Sequence, residues 1–289
     1  MDRAWHTRRG FLRRAACLPA LTLAPLQAEP EHVRVGMMDV LLGYPSSPAA
    51  FAVAEQIGFE GIQVTLGKPI GPGRLAMSDK DLQRRILQSS GKHHVAITST
   101  YLDILHRDCL QSNEAAKTWV REAIHITKAL NGGIVELAFF FQCGLNSLAD
   151  INGLAAALRE LAPEAERNKI TLGIENTLPA EQNIGLLDRV GSPAVKIWYD
   201  IGNATNMGHF DVPREIRLLG KERICQIHVK DKGYLGSGKV DVKGCLKAAR
   251  DIGYTGWFVF ETASPSGDRA ADAARNLKYF REVEASLNN

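Results

Sequence analysis

The sequence has few of the features that mark several common classes of protein. Its main apolar run, residues 15–26, contains two prolines and is shorter than the roughly 20 residues that a membrane-spanning helix needs. Stable membrane insertion is therefore not expected. The sequence also lacks a Gly-x-Ser-x-Gly elbow and a cysteine–histidine nucleophile pattern. Aromatic residues make up only 7% of the chain, whereas glycines number 26, which suits an α/β protein with many tight connections.

An excess of positive charge is lacking once the N-terminal segment is set aside. The formal net charge is +3, but residues 1–28 contain five arginines and one aspartate, a net of +4, so the remainder carries 3 − 4 = −1. No basic stripe crosses this remainder. A nucleic-acid partner bound through its phosphates is therefore not expected.

The N-terminal segment resembles a twin-arginine export signal. The motif Thr7-Arg-Arg-Gly-Phe-Leu-Arg13 is followed by the apolar run and then by Gln27-Ala28, a small-residue cleavage point. We interpret residues 1–28 as this signal. The interpretation predicts recognition by the twin-arginine export machinery and a periplasmic or secreted protein. The alternative is an ordinary basic N-terminal tail.

Cysteines are few, and none stands in a Cys-x-x-Cys spacing. Cys17 would be removed with the signal, while Cys225 and Cys245 are expected to act as small apolar residues. Cys109 and Cys143 follow the predicted third and fourth strands and could lie near each other. A domain of this size can bury an adequate core without a disulfide, so whether these two pair stays open.

Strand and helix patterns alternate along residues 29–289 without a break in composition. Eight short apolar strands are predicted at residues 33–37, 61–65, 94–100, 134–140, 170–175, 195–200, 224–229 and 257–261. Residues 68–75 are predicted to form a loop, and Gly91 is predicted to end the second helix. The alternation predicts a parallel sheet, and eight units in one domain predict a closed (β/α)8 TIM barrel.

Each of the last four predicted strands ends in a residue that can bind a metal ion. These residues are Glu175, Asp200, His228 and Glu261. In a barrel they converge on one face, where three carboxylates left alone would repel one another. A divalent cation relieves this repulsion. A single acid at a strand end is more often a helix cap or part of a surface ion pair than a metal ligand, but the joint pattern predicts one ion. Oxygen ligands without a thiolate favour Mn²⁺, Mg²⁺ or Co²⁺, with Zn²⁺ as an alternative.

Five longer motifs surround these residues. They are His228-Val-Lys-Asp231, Leu235-Gly-Ser-Gly-Lys-Val-Asp241, Gly253-Tyr-Thr-Gly-Trp-Phe-Val-Phe-Glu261, Asp200-Ile-Gly-Asn203 and Gly173-Ile-Glu-Asn176. With these motifs the sequence resembles the sugar phosphate isomerase/epimerase family, which has a xylose isomerase-like barrel. The likeness spans about residues 33–285 and is most specific in the second half. The resemblance implies that Glu175, Asp200, His228 and Glu261 hold one metal ion. It also implies that Glu175 and Glu261 are catalytic and move protons.

Three positions depart from the pattern of this family. Ser237 stands between two glycines where many members have Glu, and Tyr234 stands where the ketose epimerases tend to have Arg. Asn203 replaces the His that those epimerases usually carry three residues after the Asp ligand. The substrate is therefore less defined than the metal site.

Three further residues are candidates for substrate binding. Lys230 lies two residues beyond His228 on the same side of the strand, so we expect it either to reach substrate oxygens or to pair with Asp231 or another acid at the rim. Asn176 and Asn203 are expected either to position substrate hydroxyls or to cap the loops.

The residues and the resemblance together predict a metal-dependent isomerase or epimerase of a small sugar or keto-sugar. The cation would stabilise an enediolate while glutamates transfer protons. Export suggests an unphosphorylated substrate, because sugar phosphates are mainly cytoplasmic. The same enolisation would allow a lyase acting on 3-keto-glycosides.

Two alternatives belong to other classes of protein. A DNA-repair endonuclease shares the barrel but needs a trinuclear zinc cluster with more histidines than this chain offers, so it is disfavoured. A non-catalytic sugar-binding barrel is the other alternative. The sequence leaves the oligomeric state open, including a homo-oligomer.

Overall fold

The computed structural model describes residues 32–288, so the predicted signal lies outside the described residues. Eight parallel strands form a closed barrel in sequence order, and the first strand pairs with the eighth. The strands are β1 (Val35–Met38), β2 (Gly61–Thr65), β3 (Ala96–Tyr101), β4 (Ile134–Ala138), β5 (Thr171–Glu175), β6 (Val195–Asp200), β7 (Ile224–Val229) and β8 (Phe258–Phe260). The predicted (β/α)8 fold is confirmed.

One long helix follows each strand and covers the outside of the barrel. These helices are α1 (Ala49–Ile57), α2 (Lys80–His93), α3 (Glu114–Ala129), α4 (Leu148–Asn168), α5 (Ala180–Val190), α6 (Val212–Leu219), α7 (Val242–Asp251) and α8 (Arg269–Ala285). Short helices, Asp39–Leu42 and Ile201–Asn206, directly follow β1 and β6. Within residues 32–288, no helix has the length and hydropathy needed to cross a membrane.

The main hydrophobic core lies between the barrel and its helices. In α3 the buried residues Ala116, Val120, Ala123 and Ile124 recur at helical spacing, which turns one face of the helix towards the strands. In β4, Val135 and Leu137 belong to this core, whereas Glu136 between them contacts residues of β2 and β7 inside the barrel. Alternation along the strand thus separates an apolar outer surface from a partly polar interior.

Several predicted strand ends differ from the structure by up to two residues, for example the start of β3 and the end of β4. One predicted helix end and one predicted loop also differ from the structure. Helix α2 does not stop at Gly91 but continues to His93, where His94 adopts a left-handed conformation (φ 53°) and its N–H bonds to the carbonyl of Ser90. A residue other than glycine therefore closes this helix. The predicted loop at residues 68–75 contains a small antiparallel hairpin, Pro69–Gly71 with Arg74–Leu75.

Cys109 and Cys143 form a disulfide that joins the loop after β3 to the loop after β4. The side-chain amide of Gln111 also crosses between these loops and donates to the carbonyl of Cys143 at 3.0 Å. Two neighbouring loops are thereby held together on the face where the strands end. Cys225 and Cys245 are free, and only Cys245 is fully buried.

Candidate metal centre

Four side chains from the ends of β5 to β8 meet in one group, which we call the carboxylate cluster. It consists of Glu175, Asp200, His228 and Glu261, and the atoms that could bind an ion all lie within 4.8 Å of one another. The first three are buried, and Glu261 is partly exposed towards the mouth of the barrel. The structure therefore brings together all four residues that were predicted to hold a metal ion.

The donor set of the cluster fits a divalent cation. Nδ1 of His228 lies 3.2 Å from Glu261 Oε2, 3.5 Å from Glu175 Oε1 and 3.8 Å from Asp200 Oδ2. This nitrogen is buried and has no hydrogen-bond partner of good geometry among the described residues. Buried polar atoms are normally satisfied. One imidazole nitrogen and three carboxylates facing a common centre are a set of ligands that a hard divalent ion accepts.

The charges of the cluster shift the pKa values of its members. Burial lowers the pKa of His228, but the negative charges of Glu136, Glu175 and Glu261 outweigh it and raise that pKa well above its ordinary value. Burial raises the pKa of Asp200 to about 8, although Lys230 opposes the change. For Glu175 and Glu261, burial is outweighed by His228, and the pKa of each carboxyl is lowered.

Lys230 lies against the cluster. Its Nζ is 2.7 Å from Glu261 Oε2 and 2.9 Å from Asp200 Oδ2, so its partners are acids of the rim. The alternative partner, Asp231, instead accepts three backbone N–H groups, those of Lys232, Gly238 and Lys239. With His228 neutral and all three carboxyl groups ionised, as metal binding requires, the cluster and Lys230 would carry a net charge of −2, which a divalent cation would cancel.

Asn203 and Asn176 take different places in the structure. Asn203 Nδ2 donates to Glu175 Oε1 at 3.2 Å, which puts this amide at the edge of the cluster. Asn176 uses both ends of its amide in the turn after β5, where it donates to Asn183 and accepts from the backbone N–H of Leu178. Both polar atoms of the Asn176 amide thus already have partners in this turn. A contact between Asn176 and the substrate stays a prediction.

Sequence analysis missed two polar residues inside the barrel, Gln63 of β2 and Glu136 of β4. Each is 1% exposed, and Gln63 Nε2 donates to Glu136 Oε2. His228 Nε2 lies 3.2 Å from Gln63 Oε1 and 3.7 Å from Glu136 Oε2. Burial, reinforced by the charge of Glu175, raises the pKa of Glu136 well above its ordinary value. The sequence did contain one signal for a buried polar site, because Glu136 is a lone charged residue within the apolar strand β4.

An aromatic group lies beside the cluster on the same face of the barrel. Tyr101 ends β3, and its hydroxyl is 2.8 Å from His106 Nε2. The ring of His106 is 5.6 Å from that of Phe141, which is 83% exposed and has a φ of 52°. The backbone N–H of Phe139 donates to the carbonyl of Glu175. The loop after β4 is therefore bonded through its backbone to Glu175, a member of the cluster.

The fold and the site define a class of protein: a closed (β/α)8 barrel with a carboxylate–histidine cluster at the carboxyl ends of its last four strands. The sequence profile of the family described as "Xylose isomerase-like TIM barrel" matches residues 51–283, and the chain belongs to this family.

Several proteins of known activity are similar to this chain. The 2-epi-5-epi-valiolone 7-phosphate 2-epimerase of Actinoplanes sp. is 29% identical over an alignment of 231 positions, which covers 75% of this chain and 82% of the relative. The D-allulose 3-epimerase of Methylomonas sp. superposes with a TM-score of 0.70 at 19% identity, covering 88% of this chain and 99% of that one. The 3-keto-D-glucoside 4-epimerase of E. coli gives a TM-score of 0.70 at 12% identity, covering 87% and 100%.

Proposed function

We propose that the protein is a divalent-metal-dependent isomerase or epimerase of a small sugar or keto-sugar, with Mn²⁺ as the first candidate and Mg²⁺, Co²⁺ or Zn²⁺ as alternatives. The observation that carries the proposal is the carboxylate cluster, in which four ligand-type atoms lie within 4.8 Å of one another at the strand ends. The epimerase relatives support the reaction class, because each of the three is named as an epimerase.

Glu175 and Glu261 are the proton-transfer groups in this proposal. They come from β5 and from the end of β8, which are not neighbours in the barrel, so their carboxylates approach the centre of the cluster from different sides. One glutamate removes the proton from the carbon beside the substrate carbonyl. The other, after taking up a proton from solvent, donates it to the opposite face, which inverts that carbon, and the first glutamate then releases its proton to solvent. A bound divalent ion would supply the positive charge that stabilises the enediolate.

Neighbouring side chains control the ionisation and the orientation of the two glutamates. The pKa of Glu175 is lowered by His228 despite burial, and that of Glu261 is lowered by His228 and Lys230. Both carboxyl groups are therefore ionised at neutral pH and able to accept a proton. Asn203 donates to Glu175 and thereby fixes the orientation of that carboxylate.

We further propose export and an unphosphorylated substrate. The twin-arginine motif supports export, and so does the disulfide between Cys109 and Cys143, since disulfides persist in oxidising compartments. Lys230 is occupied by two carboxylates and is not free to bind a phosphate. The Actinoplanes relative acts, by its name, on a 7-phosphate, so phosphorylated and unphosphorylated sugars both belong in the test.

Proton exchange tests the proposal directly. The protein is loaded with Mn²⁺ and incubated in D₂O with a panel of free and phosphorylated ketoses and 3-keto-glycosides. Nuclear magnetic resonance then detects deuterium at the carbon beside the carbonyl. We expect exchange and a new stereoisomer with a free sugar. Glu175→Gln and Glu261→Gln should abolish both, whereas Glu222→Gln, an exposed acid outside the cluster, should not.

Each contrary outcome would support one of the alternative functions. Cleavage of a 3-keto-glycoside would indicate a lyase that uses the same enolisation. Exchange that is unchanged in Glu175→Gln and Glu261→Gln would contradict the catalytic roles and favour a sugar-binding barrel.

A further inference from the structure

A chain of hydrogen bonds connects the carboxylate cluster to a carboxyl group beneath it. His228 Nε2 lies 3.2 Å from Gln63 Oε1, and Gln63 Nε2 donates to Glu136 Oε2. His228 is fully buried, and Gln63 and Glu136 are each 1% exposed. The three residues come from β7, β2 and β4, so the chain of bonds crosses the inside of the barrel.

The direction of these bonds decides which nitrogen of His228 carries the proton. A glutamine amide has one end that only donates and one that only accepts. The donating end of Gln63 faces the carboxyl oxygen of Glu136, so the accepting end faces His228. Only a protonated Nε2 can complete this second bond.

A neutral imidazole with its proton on Nε2 has its lone pair on Nδ1. Nδ1 is the atom that faces Glu175, Asp200 and Glu261 at 3.2–3.8 Å. We propose that Gln63 and Glu136 are positioning residues that hold His228 in the Nε2-protonated tautomer and so present Nδ1 to a divalent cation. This inference rests on the proposed function, because it assumes that the cluster binds such an ion.

Glu136 sets the orientation of the amide. If the Gln63 amide turned over, its oxygen would face the oxygen of Glu136, and its NH₂ group would face His228 Nε2. The histidine would then keep its proton on Nδ1, the nitrogen that the cation needs. Groups that orient a metal-binding histidine in this way commonly change metal affinity by roughly 10–100-fold when they are removed.

Metal binding measured without substrate tests the proposal. Gln63→Leu removes the acceptor, and we expect the Kd for Mn²⁺, measured by isothermal titration calorimetry, to rise about 10–100-fold. Gln226→Leu is the matched control. Gln226 is also fully buried in the barrel, but neither polar atom of its amide has a hydrogen-bond partner among residues 32–288. We expect this variant to bind Mn²⁺ as wild type does.

A second variant and a second readout keep the test independent of folding. Glu136→Leu removes the acceptor of the Gln63 NH₂ group, so the amide loses the partner that fixes its direction. With ¹⁵N-labelled histidine and Zn²⁺ as a diamagnetic ion, we expect the Nε2 proton of wild-type His228 to exchange slowly with water, because it is bonded to Gln63. In Glu136→Leu this exchange should be faster.

The outcomes separate this inference from the proposed function. Wild-type protein that fails to bind Mn²⁺ would overturn the proposed function and the inference with it. Wild-type binding, together with unchanged affinity and an unchanged exchange rate of the Nε2 proton in both Gln63→Leu and Glu136→Leu, would overturn the inference alone.

Discussion

Lys230 and Glu261 form an ion pair at the mouth of the barrel, with 2.7 Å between Nζ and Oε2. Their side chains are 22% and 29% exposed, so the pair is partly shielded from solvent. Burial would lower the pKa of Lys230, but the charges of Asp200 and Glu261 outweigh it and raise that pKa. In turn Lys230 helps to lower the pKa of Glu261. The ammonium group of Lys230 thus keeps Glu261, one of the two proposed bases, ionised.

Removing the ammonium group of Lys230 should change the pH dependence of catalysis. Lys230→Met removes a charge that holds the pKa of Glu261 down, so the carboxyl will take up a proton at higher pH than in wild type. We expect the acid limb of the kcat/KM profile for proton exchange to move to higher pH. Mn²⁺ should bind at least as tightly, because a competing positive charge is gone. Lys232→Met, on the exposed loop, is the control, and an unmoved acid limb would contradict the assignment.

Asp39 predicts a pH-dependent stability away from the cluster. It is 1% exposed, and burial raises its pKa from 3.8 to about 6, although hydrogen bonds from Thr65 and Ser46 oppose this rise. A raised carboxyl pKa means that the folded state binds more protons than the unfolded state. Its contribution to stability is therefore present below about pH 4 and lost as pH rises through 6.

Asp39→Asn removes this titration while keeping the shape. Its amide oxygen can accept the N–H groups of Ser46 and Thr65, and its NH₂ group can donate to the Thr65 hydroxyl. Relative to wild type, the free energy of unfolding of the variant should rise by about 2.4 kcal/mol between pH 4 and pH 7. Urea denaturation at the two pH values measures this difference. Asp188→Asn, at an exposed position, should show no such change.

The disulfide should contribute measurably to stability. Cys109 and Cys143 are 34 residues apart, and closing a loop of that length stabilises the folded state by about 2–4 kcal/mol. We expect Cys109→Ser combined with Cys143→Ser to lower the free energy of unfolding in guanidinium chloride by this amount. Reducing agent should destabilise wild type but not the double variant. Equal stability of the two proteins under oxidising conditions would rule the bond out.

Phe141 combines backbone strain with an exposed ring. A φ of 52° is unfavourable for a bulky residue, costing roughly 1–2 kcal/mol, and glycine removes that strain. We expect Phe141→Gly to unfold at a temperature equal to or above that of wild type and to show a higher KM, because an aromatic surface beside the cluster is lost. His94→Gly, with a φ of 53° at the end of α2, should gain stability with KM unchanged. Equal KM values in all three proteins would contradict a role in substrate binding.

The barrel and the cluster could be predicted because both depend on local patterns. Each strand is a short apolar run, and the four cluster residues stand at the ends of successive runs, so topology alone brings them to one face. Gln63 and Glu136 could not be paired in this way. Both lie within strands. Their hydrogen bonds join Gln63 to Glu136, 73 positions away in the sequence, and to His228, 165 positions away. The roles of Lys230 and Asn203 likewise depended on side-chain directions that spacing does not determine.

The disulfide joins two loops and includes no residue of the cluster, whose members all come from the ends of other strands. Under the proposed metal binding and export, the ion can therefore be bound while both cysteines are still reduced, and the disulfide can form afterwards. An exported enzyme assembled in that order would leave the cytoplasm already carrying its metal and would be locked only outside.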